Sequence, residues 1–426
     1  MSAGMTSRER VLAAIDHKTP DRVPVDLGSN PSSGISATAY ARLRDHLGVK
    51  TGGTLVYDVV QQLAQPEEWA LDRLGVDVVD LGRTFNTKDE DWYDVTLASG
   101  DRAKYPAWFR PERDADGSWI ARHADGTIIA RQPVSAAFYD ETCFPLMDYW
   151  PADWRAGWSG LDAAMGKVLW SALVHSPWDN AGKPGFWERL RANALELRRT
   201  SDRAIMVVVG CNLFEWGTFL RRIDNFLVDL LLEPEKVESL LDALMERHLA
   251  TLEKVCAAVG DVADVIRFGD DLGTDTGPFM KPETYRELFK PRHRILCDFV
   301  RGHSNMRTFL HSCGSIDLVI PDLIEAGFQI LNPVQTNARG MEPERLKRDF
   351  GKDVTFWGGG IDTRVVLNHG TPAEVRAQAL ERLEIFAPGG GYIFNTVHNI
   401  LPDVPPENVV ALFDAVREFN GTRSGQ

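Results

Sequence analysis

Met306-Arg307-Thr308-Phe309-Leu310-His311-Ser312-Cys313-Gly314 is the stretch on which the reading of this chain turns. Residues from Met306 have strand character, and the run Ser315 to Ala326 carries helically spaced apolar residues, with a break expected at Pro321. The result is a strand–loop–helix unit with a histidine and a cysteine at its joint. In α/β proteins the C-terminal end of a parallel strand is where chemistry usually sits. An imidazole nitrogen and a thiolate two residues apart can both serve one zinc ion.

The same unit recurs outward from this point. Strands are predicted at Ala204–Gly210, Val262–Phe268, Gln329–Leu331, Val354–Trp357 and Tyr392–Phe394, besides the one before His311. Helical patterns alternate with them over Pro234–Val259, Pro282–Val300 (kinked or divided at Pro291), Met341–Phe350, Pro372–Phe386 and Glu407–Phe419. Earlier strands are expected at Val23–Leu27 and Val76–Leu81, after a first helix over Thr6–Ile15 capped by Thr6 or Ser7. Eight strands alternating with helices predict an α/β chain folded as a (β/α)8 TIM barrel, read as one domain over residues 1–426. A doubly wound open sheet is the rival, but no GxGxxG follows a strand.

Residues 90–160 interrupt this rhythm and read as an insertion. Trp119–Arg122 and Thr127–Ala130 flank Asp125-Gly126 as an antiparallel hairpin outside the main sheet. Seven tryptophans fall between 108 and 178: Trp108, Trp119, Trp150, Trp154, Trp158, Trp170 and Trp178. They suit a packed insertion or a cover over the active mouth.

A net charge of -14 over 426 residues argues against a nucleic-acid surface. No apolar run reaches the roughly 20 residues of a membrane span, and the N-terminus has no signal-peptide core. The cysteines Cys143, Cys211, Cys256, Cys297 and Cys313 are scattered without a CxxC pair, which suits a reducing, cytoplasmic setting. Cys256 and Cys297 sit in apolar helix contexts and read as core residues.

Polar residues cluster just after the predicted strands: Cys211 and Glu215; Asp270, Asp271 and Asp275; His311 and Cys313; Asn332 and Gln335; Asp362 and Arg364; Asn395 and His398. On a barrel they converge on one face. His398, three strands after His311, is the expected third zinc ligand. Cys211 or Glu215 could be the fourth, or that position could stay open for water or substrate. Asp270 and Asp271 are adjacent, so an extended backbone points them to opposite sides. One of them is expected to orient a metal-bound histidine, hold a cation or act as a base. Cys211, Glu215, Asn332, Gln335, Asp362, Arg364 and Asn395 are the expected substrate-binding set.

Several of these motifs together resemble the uroporphyrinogen decarboxylase superfamily, and within it the cobamide-dependent methyltransferase branch. They are Arg8-Glu9-Arg10-Val11-Leu12, Thr19-Pro20-Asp21-Arg22-Val23-Pro24-Val25, Asp270-Asp271-Leu272-Gly273, Phe309 to Gly314, Gly359-Gly360-Ile361-Asp362, Gly390 to Phe394 and Pro405-Pro406-Glu407-Asn408-Val409. The resemblance implies a (β/α)8 barrel. In the methyltransferase branch a His-x-Cys after a strand and a later cysteine bind zinc. His311 and Cys313 match the first two, and His398 stands at or near the third. The decarboxylase branch also has a histidine near that place. True decarboxylases hold the tetrapyrrole carboxylates with an arginine-rich loop, but Leu27-Gly28-Ser29-Asn30-Pro31 contains no arginine.

The resemblance therefore implies a zinc-dependent methyltransferase moving a methyl group between a corrinoid protein and a thiol or other small acceptor. The corrinoid would come on a partner, because no cobalamin-binding domain is apparent. The alternative is a lyase or decarboxylase acting on a small carboxylate other than uroporphyrinogen, in which Asp271, Asn332, Gln335 and His398 bind substrate and Arg364 pairs its carboxylate.

Overall fold

A computed structural model describes residues 4–148 and 158–423. Seven strands form one parallel sheet: β1 (Val78–Asp80), β2 (Ala204–Gly210), β3 (Val265–Gly269), β4 (Arg307–His311), β5 (Ile330–Asn332), β6 (Thr355–Trp357) and β7 (Tyr392–Ile393). Spatial order follows chain order, as barrel topology requires. The eighth position is narrower than the sequence predicts. Within Val23–Leu27 only Val25 bridges the sheet, in parallel to Phe394. Phe394 N–H donates to Pro24 O (2.8 Å), and on the other side Asp77 N–H donates to Val25 O (2.8 Å). The ring closes through this one residue. Pro24 has no N–H to extend the ladder.

Side chains alternate in and out along each strand. Val78, Ala204, Met206, Val265, Phe309, Ile330, Trp357 and Ile393 form one buried cluster with Val11, Ala14 and Ile15 of the first helix, Ser7–Ile15. That helix, with a Thr6/Glu9 capping box, closes the end of the barrel where the strands begin. Arg10 Nη1 meets Asp77 (2.7 Å) and its Nε meets Asp21 (2.7 Å), Arg22 also reaches Asp77 (2.6 Å), and Arg8 reaches Asp264 (2.7 Å). The N-terminal motif is thus a clasp beneath the strands, at the end concerned with stability.

The prolines act differently from expectation in two places. Pro321 does not break a helix; it lies in the first turn of Ile320–Ala326, where its missing N–H costs nothing. The Pro282–Val300 prediction divides as a π-helical turn, Tyr285–Phe289, just before the helix Lys290–His303 that carries Pro291.

Antiparallel pairs lie outside the parallel sheet. Trp92–Thr96 pairs with Arg102–Pro106, and Trp119–Arg122 pairs with Ile128–Gln132 within a four-stranded sheet. Trp150 and Trp154 lie outside the described residues, as does the side chain of Trp158. Among the described residues no helix is long and apolar enough to cross a membrane. The five cysteines are free, with Cys256 and Cys297 buried.

Candidate active site and metal centre

The alternation that fills the barrel interior also builds the site above it. Each strand that buries an apolar residue inward presents its next inward residue two positions later. Above Val265 comes Arg267; above Phe309, His311; above Ile330, Asn332; above Val78, Asp80. These residues sit at or beside a cavity of about 240 Å³ whose walls include Tyr57, Asp58, Asp80, Glu215, Arg267, Asp271, His311 and His398.

His311, Cys313 and His398 come together. One ligand atom from each lies within 4.8 Å of the others, the only such group of three found among the described residues. His311 Nε2 is 3.4 Å from Cys313 Sγ. Two ligands of a tetrahedral zinc ion are roughly 3.5 Å apart, so the pair already has the spacing one ion would impose. His311 Nδ1 meets Asn332 Oδ1 at 2.7 Å. Asn332 is held in turn, its Nδ2 donating to Trp357 O (2.8 Å) and its Oδ1 accepting from Ser32 Oγ (2.6 Å). Asp271 Oδ1 accepts from Cys313 N–H (2.8 Å) and lies 3.5 Å from His311 Nε2.

The electrostatics suit a cation here. Burial pushes the Cys313 thiol well up, reinforced by the Asp271 and Glu215 carboxylates. Burial pushes His311 well down, helped by the Arg267 charge, and lowers His398 also. Neutral imidazoles are ligands as they stand, and a divalent ion would draw the proton from the thiol. Burial holds the Glu215 carboxyl far above its ordinary range, with Asp271 and Asp270 adding to the effect.

Other residues expected at the site are placed elsewhere. Asp270 follows the outward phase of β3: fully buried, it accepts from the N–H groups of Phe214 (3.0 Å) and Glu215 (2.9 Å) and lies 3.3 Å from His293 Nε2. It anchors the start of the helix Phe214–Arg221, and Asp271 alone of the pair lines the cavity. Cys211 is buried but does not line the cavity, and its titratable neighbour is Cys256. A bulge in β2 between Val208 and Gly210, followed by left-handed Gly210 (φ 72°) and Cys211 (φ 51°), turns it off the inward phase. Asp362 accepts from Arg364 N–H (2.8 Å) and Val365 N–H (3.1 Å) and caps its own turn. Arg364 is exposed and paired with Asp275 (2.9 Å). Gln335 braces the loop of the site, accepting from Gly314 N–H (2.8 Å) and donating to Asp275 (2.9 Å). Asn395 lies behind Asn332, their amides 3.3 Å apart.

Sequence reasoning missed Arg267, Tyr57, Asp58, Asp80 and His175, all in the cavity wall. Arg267 was accessible to the period-two rule, since Val265, Arg267, Gly269 and Asp271 share one phase. Asp58 ends a three-residue strand, Val56–Asp58, too short to carry a periodic signal, and His175 lies in an irregular segment. Of the tryptophans, Trp170 and Trp178 line the cavity.

Residues 214–419 match the model of the uroporphyrinogen decarboxylase (URO-D) family. A uroporphyrinogen decarboxylase of Pseudoalteromonas translucida is 40% identical over 74 residues, 17% of this chain and 20% of the relative. A methylcobamide:CoM methyltransferase, MtaA, of Methanosarcina barkeri is 29% identical over 186 residues, 43% of this chain and 49% of the relative. The chain thus spans about half, or less, of the length of these two curated relatives. The solved structure of a methyltransferase from Methanosarcina mazei superposes over 97% of this chain and 99% of its own, with a TM-score of 0.58 and 19% identity, which speaks for the fold.

Proposed function

We propose that this chain, a member of the uroporphyrinogen decarboxylase superfamily with likeness to its methyltransferase branch, is a zinc-dependent methyltransferase that moves a methyl group between a corrinoid protein and a small acceptor. The observation that carries the reading is the His311–Cys313–His398 group, with ligand atoms within 4.8 Å of one another beside a cavity of about 240 Å³. His311, Cys313 and His398 would hold the ion, leaving a coordination position for substrate. Zinc, when bound, lowers the pKa of a coordinated thiol so that an acceptor sulfur is present as thiolate at neutral pH.

The chain's own residues supply the rest. Asn332 orients His311, and Asp271 holds the Cys313 backbone in place through its N–H. Arg267 is buried beside Asp271 and Glu215 and supplies the positive charge that their acidic groups face. A corrinoid partner is part of the proposal and rests on the methyltransferase likeness.

The second reading, a lyase or decarboxylase of a small carboxylate, draws on the decarboxylase relatives and on histidine at 398. Asp58 and Asp271 in the cavity wall oppose it, because they would meet an anionic substrate with like charge.

Elemental analysis of protein purified without a His tag tests the choice. About one zinc per chain, lost in His311→Ala, Cys313→Ser and His398→Ala, is the expected result. Wild-type protein that neither carries nor takes up stoichiometric metal would sink the zinc mechanism. Activity surviving complete metal removal would favour the lyase.

A further inference from the structure

Part of the cavity wall has no task in holding the metal. Asp58 is 1% exposed, and its Oδ1 accepts from Val60 N–H (2.9 Å) and Gln61 N–H (2.9 Å). Its Oδ2 has no hydrogen-bond partner; His175 Nε2 lies 3.7 Å from it. Asp80 Oδ1, Tyr57 Oη and His175 Nδ1 are likewise buried and unpartnered, and all four residues line the cavity. Buried polar atoms are normally satisfied, so four open ones on one wall mark a place where something binds.

The surroundings identify its chemistry. Trp170 and Trp178 face the same cavity, and their indole N–H groups are already used, donating to Tyr139 O (2.7 Å) and Val208 O (2.6 Å). The ring orientations are therefore fixed, and apolar ring surface is what remains for a ligand. Arg267, the one Lys or Arg in the wall, has its charge answered first by Glu215 and Asp271, on the metal side. Arg83 acts on Asp80 from outside the cavity and is paired with Glu68 (2.8 Å). Asp58 and Asp80 beside aromatic walls, with no Lys or Arg of their own inside the cavity and the His175 imidazole as Asp58's basic neighbour, suit a small organic ammonium group.

We infer that the small-molecule substrate of this site carries a positively charged ammonium group, seated against Asp58 and Asp80 and walled by Trp170 and Trp178. This rests on the cavity being the substrate chamber of the proposed methyltransferase. An anionic thiol would face Asp58 instead of a counter-charge.

Calorimetric titration of zinc-loaded protein tests this, with choline as probe. The comparison compounds are its neutral isostere, in which carbon replaces the quaternary nitrogen, and the anionic thiol mercaptoethanesulfonate. Choline should bind roughly tenfold or more tighter than the isostere. Asp58→Asn should abolish that preference while zinc content stays at the wild-type value. If Asp58→Asn does not fold, Trp170→Leu takes its place and should weaken choline more than the isostere. Equal binding of choline and isostere, preference for the anionic thiol, or no choline binding by zinc-loaded protein would each overturn the inference. Failure of the metal reading shows separately, as wild-type protein that takes up no zinc whatever choline does.

Discussion

Asn332 holds His311 in a single tautomer. The Asn332 Nδ2 is committed to Trp357 O at 2.8 Å, so the atom facing His311 Nδ1 at 2.7 Å is the carbonyl oxygen, an acceptor. Nδ1 must then carry the proton, and Nε2 turns its lone pair toward Cys313 Sγ, 3.4 Å away. The ligand is prepared before any ion arrives.

Asn332→Ala should therefore weaken zinc binding by about 10- to 100-fold without removing a ligand, because the imidazole loses its fixed tautomer and orientation. Competition against a chromophoric chelator measures this. Wild-type affinity in the variant would show that the hydrogen bond is incidental.

The adjacent aspartates should separate by phenotype. Asp270 accepts two buried N–H bonds and faces His293, so Asp270→Ala should cost about 3–5 kcal/mol in denaturant unfolding while folded protein keeps its metal. Asp271→Ala should cost less stability and more activity, because its carboxylate lines the cavity beside the metal group. Metal loss from folded Asp270→Ala, with full activity in Asp271→Ala, would reverse the assignment.

Stability should fall as pH rises through neutrality, in part because of Asp80. Burial, opposed by its bond from Gly82 N–H and the Arg83 charge, raises this carboxyl to about 7. A folded-state pKa above the unfolded value contributes stability that is complete below the unfolded pKa and lost as pH rises through the folded one. Here that window runs from about 4 to about 7, with a ceiling on the order of 4 kcal/mol. Asp80→Asn should flatten the decline in Tm between roughly pH 5 and 8. An unchanged slope would place the titration elsewhere.

Phe309 is fully buried in the barrel interior, edge-on to Trp357 with ring centroids 5.3 Å apart. Phe309→Ala should cost about 3–5 kcal/mol through the cavity it leaves. Since His311 is two residues farther along the same strand, zinc affinity should fall as well. Equilibrium unfolding and metal titration of the same sample check both.

Much of this molecule is legible in the sequence because its information is local. Hydrophobic runs of strand length, helical periodicity and the Thr6/Glu9 cap are decided within a few residues, and they correspond to elements of the structure, save that Val23–Leu27 keeps a single bridge at Val25. His311 and Cys313 were legible for the same reason: two positions apart at a strand end, they share one side. Asp270 and Asp271 carried their opposite directions in their adjacency, but which one faced inward needed the phase of β3, set by the packing of Val265 in the interior.

The sequence by itself determined the order of strands and helices, the motif at the joint of β4, and the chemistry available there. Tertiary structure decided what distance in the chain conceals. Barrel closure brings His398 to His311 and Cys313 across 85 residues of chain, to within 4.8 Å. It carries Asp58 and His175, from segments without periodic signal, into the wall of the same cavity. A bulge in β2 turns Cys211 away from the cavity, and a turn occupies Asp362 with its own backbone. A side chain's neighbours along the chain follow from local geometry, whereas its neighbours across a barrel follow from register and closure, which the whole core sets at once.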